Sequence, residues 1–353
     1  MKKYNFLVVI AFLFLACETE ISNYKTDNLS NAIIVYGEVG NLIGPYSVRI
    51  NTISAYSPYD AREFIGKPVE GAKVRIVDNI GNTTILGDFG NGLYKTAILF
   101  KGLPGQSYQL KITTADGLEI ESSIEKLQTP PQLQNFSYKF IDAEKVENMR
   151  FDVKASIKDL EGEENFYFIK KQEFIEFQTT CPAPPPPPAP PPPCYFKCWR
   201  APLNTQPTLL NDFLVNGKNL PLNIKSVDAF DWTDYVVQLD IQSVSKQIYN
   251  FWQRQEDQRT IGGGLFDKIP AQIVGNLRCV NKPDQEVLGA FVVSGTTKQR
   301  LVIKRFEAMG TAAFQKVEAY ADFNNLRNKN LPLLDCRKAG WIDYNLGFSI
   351  PEF

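Results

Sequence analysis

The chain has 353 residues, with 38 Lys and Arg against 39 Asp and Glu and a net charge of −1. A balance that close to neutral speaks against a nucleic-acid partner, which calls for a basic surface. Histidine is absent, which excludes Ser-His-Asp and Cys-His catalysis, the imidazole zinc sites of hydrolases and a histidine pH switch.

Lys2 and Lys3 open the chain, and an apolar run follows from Phe6 to Leu15. That run is too short for a bilayer-spanning helix, which needs about 20 residues. Basic start, short apolar stretch and small Ala16 together read as an export signal over residues 1–16. Cys17 follows directly, as in bacterial lipoprotein signals, although Phe14 stands where leucine is usual. Cys17 is therefore expected to carry the lipid. Each buried acyl CH₂ contributes about 0.8 kcal/mol to the hold on the membrane. Residues 17–31 read as a lipidated, flexible tether, polar and rich in Asn.

The fold class reads as mainly β. From residue 32 short strands alternate with turns: Ile33–Val39, Tyr46–Asn51, Lys73–Asp78 and Thr83–Leu86, then Gly92-Leu93-Tyr94. Tyr108–Thr113 alternates apolar and polar residues, Asp116-Gly117 signals a hairpin, and Glu119–Lys126 returns. About seven strands with turns every ~8–12 residues describe an Ig-like or prealbumin-like β-sandwich over 32–130. A β-rich second domain with at least one helix is expected over 131–353. Its strands are read at Phe136–Phe140, Met149–Asp159, Phe166–Phe177, Tyr235–Ile241, Leu288–Val293 and Arg300–Arg305. Ser243–Gln258 reads as a helix, because Val244, Ile248 and Trp252 share one face at a spacing of four. The remainder to Phe353 shows no single pattern.

A polyproline insertion lies at 181–194: ten of the twelve residues between Cys181 and Cys194 are proline. Such a run favours polyproline II, about 3.1 Å per residue, so a straight one would hold the two cysteines about 40 Å apart. A disulfide needs Cα atoms about 5.5 Å apart. The run reads as an exposed insertion loop, with a docking motif as the alternative. Beyond Cys17 the chain has Cys181, Cys194, Cys198, Cys279 and Cys336, an odd number, so at least one is unpaired within the chain. Which of them form disulfides stays open. A zinc site using Cys194 and Cys198 is the weaker alternative without histidine.

Other candidates have plainer readings. Gly262-Gly263-Gly264 lacks phosphate-loop spacing and reads as a helix stop. Asp228, Asp231 and Asp234 read as a turn rather than a calcium loop. Glu161, Glu163 and Glu164 form an acidic turn, where a carboxylate is hard to keep protonated for glycoside hydrolysis. Tyr195, Trp199, Trp232 and Trp341 could stack on a sugar or peptide, with core packing as the default.

Several segments, in order, carry a resemblance: Val35-Tyr36-Gly37-Glu38, Pro68-Val69-Glu70-Gly71-Ala72-Lys73-Val74, Gly92-Leu93-Tyr94, Gly105-Gln106-Ser107-Tyr108, Gly263-Gly264-Leu265-Phe266-Asp267, Gly275-Asn276-Leu277 and Val287-Leu288-Gly289-Ala290-Phe291. Together they resemble the Bacteroidota outer-membrane lipoproteins of domain of unknown function family 4249. The Pro68–Val74 stretch also resembles a carboxypeptidase-regulatory-type sandwich. Ala290 stands where the family usually has an aromatic residue, and the proline run is unusual for it. The resemblance implies an outer-membrane lipoprotein, facing the cell exterior, that accompanies a TonB-dependent transporter. It brings no catalytic residues, cofactor or metal. The expected function is thus a non-enzymatic accessory or substrate-capture role. The alternatives are a carboxylate-based hydrolase of surface glycans and a structural envelope protein.

Overall fold

The computed structural model describes residues 32–53, 66–159, 162–178, 197–200, 207–213, 217–224, 226–229, 233–260, 273–323 and 342–343. Within them the chain is mainly β. The first strands are β1 (Ile33–Gly40), β2 (Ser47–Thr52), β3 (Lys73–Asp78), β4 (Thr83–Ile85), β5 (Gly87–Asp88), β6 (Leu93–Lys95), β7 (Ser107–Thr113), β8 (Glu119–Ser122) and β9 (Glu125–Lys126). Next come β10 (Gln132–Ile141), β11 (Arg150–Lys158), β12 (Phe166–Gln178), β13 (Lys197–Arg200), β14 (Thr208–Asn211), β15 (Asn219–Leu222), β16 (Val227–Asp228) and β17 (Tyr235–Val244). Helix α1 (Lys246–Thr260), β18 (Leu277–Cys279), β19 (Val287–Ile303), helix α2 (Arg305–Phe323) and β20 (Ile342–Asp343) complete the order.

Alternation explains the strands. In β7, Tyr108, Leu110 and Ile112 are buried while their neighbours are partly exposed. In β3, Val74 and Ile76 turn inward and Lys73 and Arg75 outward. A period of two puts one set of side chains on each face, so these sequences bury one face and wet the other. The turn at 68–72 is tied down by a buried phenol: Tyr94 Oη accepts from Ala72 N–H at 3.0 Å and donates to the Val69 carbonyl at 2.9 Å.

The largest sheet has ten strands, in the order β20-β13-β12-β17-β19-β1-β2-β6-β5, with β14 also on β12. Its β19–β5 end faces the six-stranded sheet β18-β8-β7-β3-β4, to which β9 adds through β7. Between them lies a core of Val35, Val48, Ile50, Ile76, Leu110, Ile112, Ile120, Phe291 and Val293. The other end of the large sheet faces β10-β11-β15 and β16 across Phe151, Val153, Ile157, Tyr167, Ile169, Val237, Leu239 and Ile303. Met309, Ala313 and Val317 of α2 join that second core. Helix α1 covers the opposite face of the large sheet, where Ile248, Tyr249, Phe251 and Trp252 pack on Phe168, Val244, Ala290 and Val292.

One strand serves both halves. Residues 287–294 of β19 run parallel to β1, and residues 295–303 run antiparallel to β17. Two asparagine side chains bridge the change of partner. The Asn276 amide donates to the Phe291 carbonyl at 2.9 Å and accepts the Phe291 N–H at 2.8 Å. The Asn41 amide does the same for Thr296, at 3.0 and 2.5 Å. Each amide stands in for the residue of a missing neighbouring strand. The sandwich read over 32–130 therefore also takes in β18 and the first half of β19.

Two expectations from the sequence are corrected. Leu288–Val293 and Arg300–Arg305 are not separate strands, because β19 is continuous from Val287 to Ile303. The polar stretch Ser294–Gln299 broke the apolar pattern, yet its backbone continues the ladder with β17. Lys304 and Arg305 lie beyond that strand, and Arg305 begins α2. The expected helix at Ser243–Gln258 starts later, at Lys246, because Ser243 and Val244 finish β17. Ser245 Oγ accepts the Ile248 N–H at 3.3 Å and caps the helix there. Gly262–Gly264 lie outside the described residues.

Candidate functional site

Two surfaces stand out. The first is one end of the first sandwich, where residues 41–46, 79–82 and 96–106 form neighbouring loops. They are laced together by backbone bonds: Gly44 N–H to the Phe100 carbonyl at 2.9 Å, Gly102 N–H to Gly40 at 2.8 Å, Asn79 N–H to Ser107 at 3.0 Å. Tyr46 packs edge-on against Phe100, with ring centroids 6.1 Å apart. The loop tips carry apolar side chains into solvent: Leu99 is 79% exposed, Ile43 and Ile98 67%, Ile80 66% and Leu103 51%. Beside them lies a shallow recess of about 250 Å³ lined by Ile80, Asn82, Thr84, Phe100, Lys101 and Leu103.

The polar groups of that recess are largely engaged in holding the loops. Asp78 accepts from Asn82 N–H at 2.8 Å, Asn82 Nδ2 at 2.9 Å and Ile80 N–H at 3.1 Å. Partial desolvation works to raise its pKa, but these hydrogen bonds outweigh it and hold the carboxyl below its usual range. Tyr108 Oη accepts the Leu103 N–H at 2.8 Å and donates to Gln106 Oε1 at 3.0 Å. Its burial raises the phenol pKa, against the lowering effect of the Leu103 bond. This end is a rigid platform with apolar tips, suited to pressing against another apolar surface.

The second surface is a polar strip on the outer face of the large sheet. On β17, Val237, Leu239 and Ile241 enter the second core, so Gln238 and Asp240 point the other way. Register places Lys170, Asp240 and Lys298 in one row across β12, β17 and β19, and Gln172, Gln238 and Arg300 in the next. Gln238 is buried at the centre. Its amide nitrogen donates to Gln172 Oε1 at 2.7 Å and Asp240 Oδ1 at 3.0 Å, and its oxygen accepts Arg300 Nε–H at 2.6 Å. Lys298 Nζ lies 3.4 Å from Asp240 Oδ2. Lys170 Nζ lies over the Phe168 ring, 5.4 Å from its centroid, and that ring stacks on Trp252 of α1 at 3.8 Å.

The residues singled out in the sequence are not brought together here. Trp199 is fully buried against Phe174 and Val236, so its ring faces protein rather than an open stacking surface. Tyr195, Trp232 and Trp341 lie outside the described residues, as do Cys17, Cys181, Cys194 and Cys336. Cys198 sits in β13 opposite Phe177 and Asp343. Cys279 is a buried, unbridged thiol whose sulfur donates to Asn281 Oδ1 at 3.4 Å. The proline-rich segment is inserted between two paired strands, since Gln178 and Lys197 are register partners. Glu163 and Glu164 are exposed, and Glu164 pairs with Lys246 at 3.0 Å. Asp231 lies outside the described residues; on either side of that stretch the buried Arg305 donates to the Thr233 carbonyl at 2.5 Å, to Thr233 Oγ1 at 2.8 Å and to the Asp228 carbonyl at 3.4 Å. Neither surface was foreseen from the sequence. The strip leaves only a faint trace there, as polar residues two apart on three apolar strands.

Comparison with known proteins places the chain. The family described as a domain of unknown function, DUF4249, matches residues 19–300. The chain belongs to this family. The DUF4249 match takes in both surfaces, since it reaches from before β1 to Arg300. No curated protein matches this DUF4249 chain. Among solved structures it is similar to a DUF4785 family protein from Legionella pneumophila subsp. pneumophila str. Philadelphia 1, at 11% identity and a TM-score of 0.21. That similarity covers 60% of this chain and 52% of the other, so the chain spans about half the length of that relative. A likeness so slight carries no argument.

Proposed function

We propose that this protein is a non-enzymatic lipoprotein of a Bacteroidota outer membrane, held by acylated Cys17 and facing outward, that serves as accessory or substrate-capture partner of a TonB-dependent outer-membrane transporter. Three lines support the reading. The N-terminus has the three parts of a lipoprotein signal. The family resemblance implies such a setting. The observation that carries a docking role is the loop end of the first sandwich, where Ile43, Ile98, Leu99 and Leu103 stand exposed on a hydrogen-bonded platform. Apolar tips that stay in water cost free energy unless a partner covers them.

Reach fits the arrangement. Residues 17–31 can span at most about 50 Å when fully extended. The loop end lies one strand length beyond the tether's entry, about 26 Å for the eight residues of β1. The lipid would thus keep the loop end within range of a barrel in the same membrane and raise its effective concentration there.

The test is co-purification from membranes in mild detergent. The wild-type chain should bring down an outer-membrane barrel, and Ile98→Asp with Leu99→Asp should lose at least nine-tenths of it. Cys17→Ser should move the protein from the membrane to the soluble fraction. A wild-type chain that purifies alone, or a loop variant that retains the barrel, refutes the docking role.

A further inference from the structure

The first sandwich leaves one strand edge open. β4 ends the six-stranded sheet and pairs only with β3. The Leu86 N–H donates to the Val74 carbonyl at 2.9 Å, and the Asp78 N–H to the Asn82 carbonyl at 3.0 Å. Antiparallel pairs alternate between bonded and unbonded ones. Asn82, Thr84 and Leu86 therefore turn their backbone groups toward β3, and Thr83 and Ile85 turn theirs outward. The N–H and carbonyl groups of Thr83 and Ile85 take no partner among the described residues. Beyond Leu86 the chain crosses to the large sheet, where Gly87 and Asp88 pair with β6. Natural edges are commonly guarded by charge or proline. Thr83, Thr84 and Ile85 supply neither, and Ile85 and Phe89 stand exposed beside the open groups.

The side chains at this edge set what can join it. Thr84 stands opposite Ile76, and directly paired residues share a face, so Thr84 points inward while Thr83 and Ile85 point outward. Thr84 and Ile76 line the recess of about 250 Å³, whose apolar walls are Ile80, Phe100 and Leu103. Both walls are fixed in advance. Asp78 holds the 79–82 turn through three hydrogen bonds, and Tyr108 Oη holds Leu103 and Gln106. A strand added outside β4 would lie about 4.8 Å from it. Its residue opposite Thr84 would extend the row of Leu110, Ile76 and Thr84, with its Cβ about 5 Å from that of Thr84. That side chain meets the recess, whose volume is that of about eight waters and accommodates one aromatic ring.

Charge narrows the occupant further. Lys101 also lines the recess, is exposed, and has no ion pair or hydrogen bond among the described residues. Asp78, the carboxylate of the same lining, is committed to Ile80 and Asn82. On an added strand, a residue two positions from the ring shares the ring's face, the side on which Lys101 stands. A carboxylate there complements that ammonium. We propose that β4 binds an extended segment of a partner protein by antiparallel strand addition, with the segment's backbone on Thr83 and Ile85, an aromatic side chain in the recess and an acidic residue two positions away beside Lys101. The contact does not rest on the barrel reading and holds for any protein partner that carries such a segment.

Fluorescence anisotropy tests this with the detergent-solubilised mature protein and a fluorophore-labelled Glu-Val-Phe-Val-Glu peptide. The peptide should bind, and hydrogen exchange read by mass spectrometry should slow at the Thr83 and Ile85 amides. Methylating both valine nitrogens keeps every side chain but removes the donors that face Thr83 and Ile85. It should weaken binding about tenfold or more. Exchanging both glutamates for lysine should weaken it severalfold. Ile85→Pro removes one outward N–H and leaves the ladder to β3 whole. It too should weaken binding severalfold, with thermal melting unchanged. Because the probe is a purified peptide, these results are independent of whether a barrel co-purifies. No binding of the parent peptide, binding that leaves exchange at Thr83 and Ile85 unchanged, or equal binding of the methylated or the lysine-ended peptide would each overturn the proposal.

Discussion

Asn276 shows how much a single amide can hold. Its side chain makes two hydrogen bonds to the backbone of Phe291, and Nδ2 also reaches Glu125 Oε1 at 3.1 Å. All three partners are buried, so none can turn to water if the amide is removed. Leaving a buried donor or acceptor unmet costs about 1–3 kcal/mol each. Asn276→Leu leaves three such groups unmet and should therefore destabilise the fold by at least about 3 kcal/mol in a denaturant melt. Asn276→Asp should be no milder, because a carboxylate cannot donate to the Phe291 carbonyl and repels Glu125. Asn41 makes the matching pair of bonds to Thr296 from a partly exposed position, and its loss should cost less. A variant at Asn276 with wild-type stability would show that the strand edge is satisfied in some other way. Nothing in Gly275-Asn276-Leu277 announces this role. Only the register reveals that the amide completes a ladder.

Strands with clean alternation were legible because one face of each is buried. Ile33–Gly40, Lys73–Asp78, Ser107–Thr113 and Arg150–Lys158 match their expected positions within a residue or two. The long β19 was not legible as one element. Its middle is polar because Thr296, Lys298 and Arg300 point away from both cores, so the apolar signal lapses while the hydrogen bonding continues. Helix α2 was missed for a different reason. Met309, Ala313 and Val317 recur at a spacing of four, but Gly310 breaks the helical pattern, with a φ of 73° in the structure. The polar strip left only a faint trace, since its rows depend on register between strands more than fifty residues apart. Gly295 marks the point where the chain passes from one half to the other. A Cβ placed there would fall 2.1 Å from the Gln128 carbonyl oxygen and 2.8 Å from Pro130 N. These are backbone atoms with no rotamer to escape into. Gly295→Ala should force the 128–130 crossing away from β19 and cost at least about 1–3 kcal/mol, the usual penalty of overpacking. An unchanged midpoint in thermal unfolding would mean that the crossing has slack the geometry does not show.

At the scale of the whole molecule, β19 makes the two halves one structure. Its odd-numbered residues Phe291 and Val293 fill the first core, and Leu301 and Ile303 reach the second. Its even-numbered residues Ala290 and Val292 lie under α1, and Val302 backs onto Trp199. A single pleated strand thus touches all four apolar clusters found among the described residues, and neither half can open without exposing part of the other. The first sandwich cannot be complete on its own, because residues 32–130 lack Phe291, Val293, Leu277 and the partner strand that runs along β1. Each large apolar side chain missing from a core forfeits about 1.5–3 kcal/mol of burial. Three such losses, plus an unpaired β1 edge, take most of the ~5–15 kcal/mol that holds an ordinary domain. Residues 32–130 expressed alone should therefore lack a cooperative melt and show collapsed amide dispersion by NMR. The intact chain should unfold in one transition followed alike by fluorescence, which reports tryptophans of the second half, and by far-ultraviolet circular dichroism, which reports both halves. Two separated transitions, or a well-folded 32–130 fragment, would show that β19 is an ornament on the first sandwich and not its missing wall.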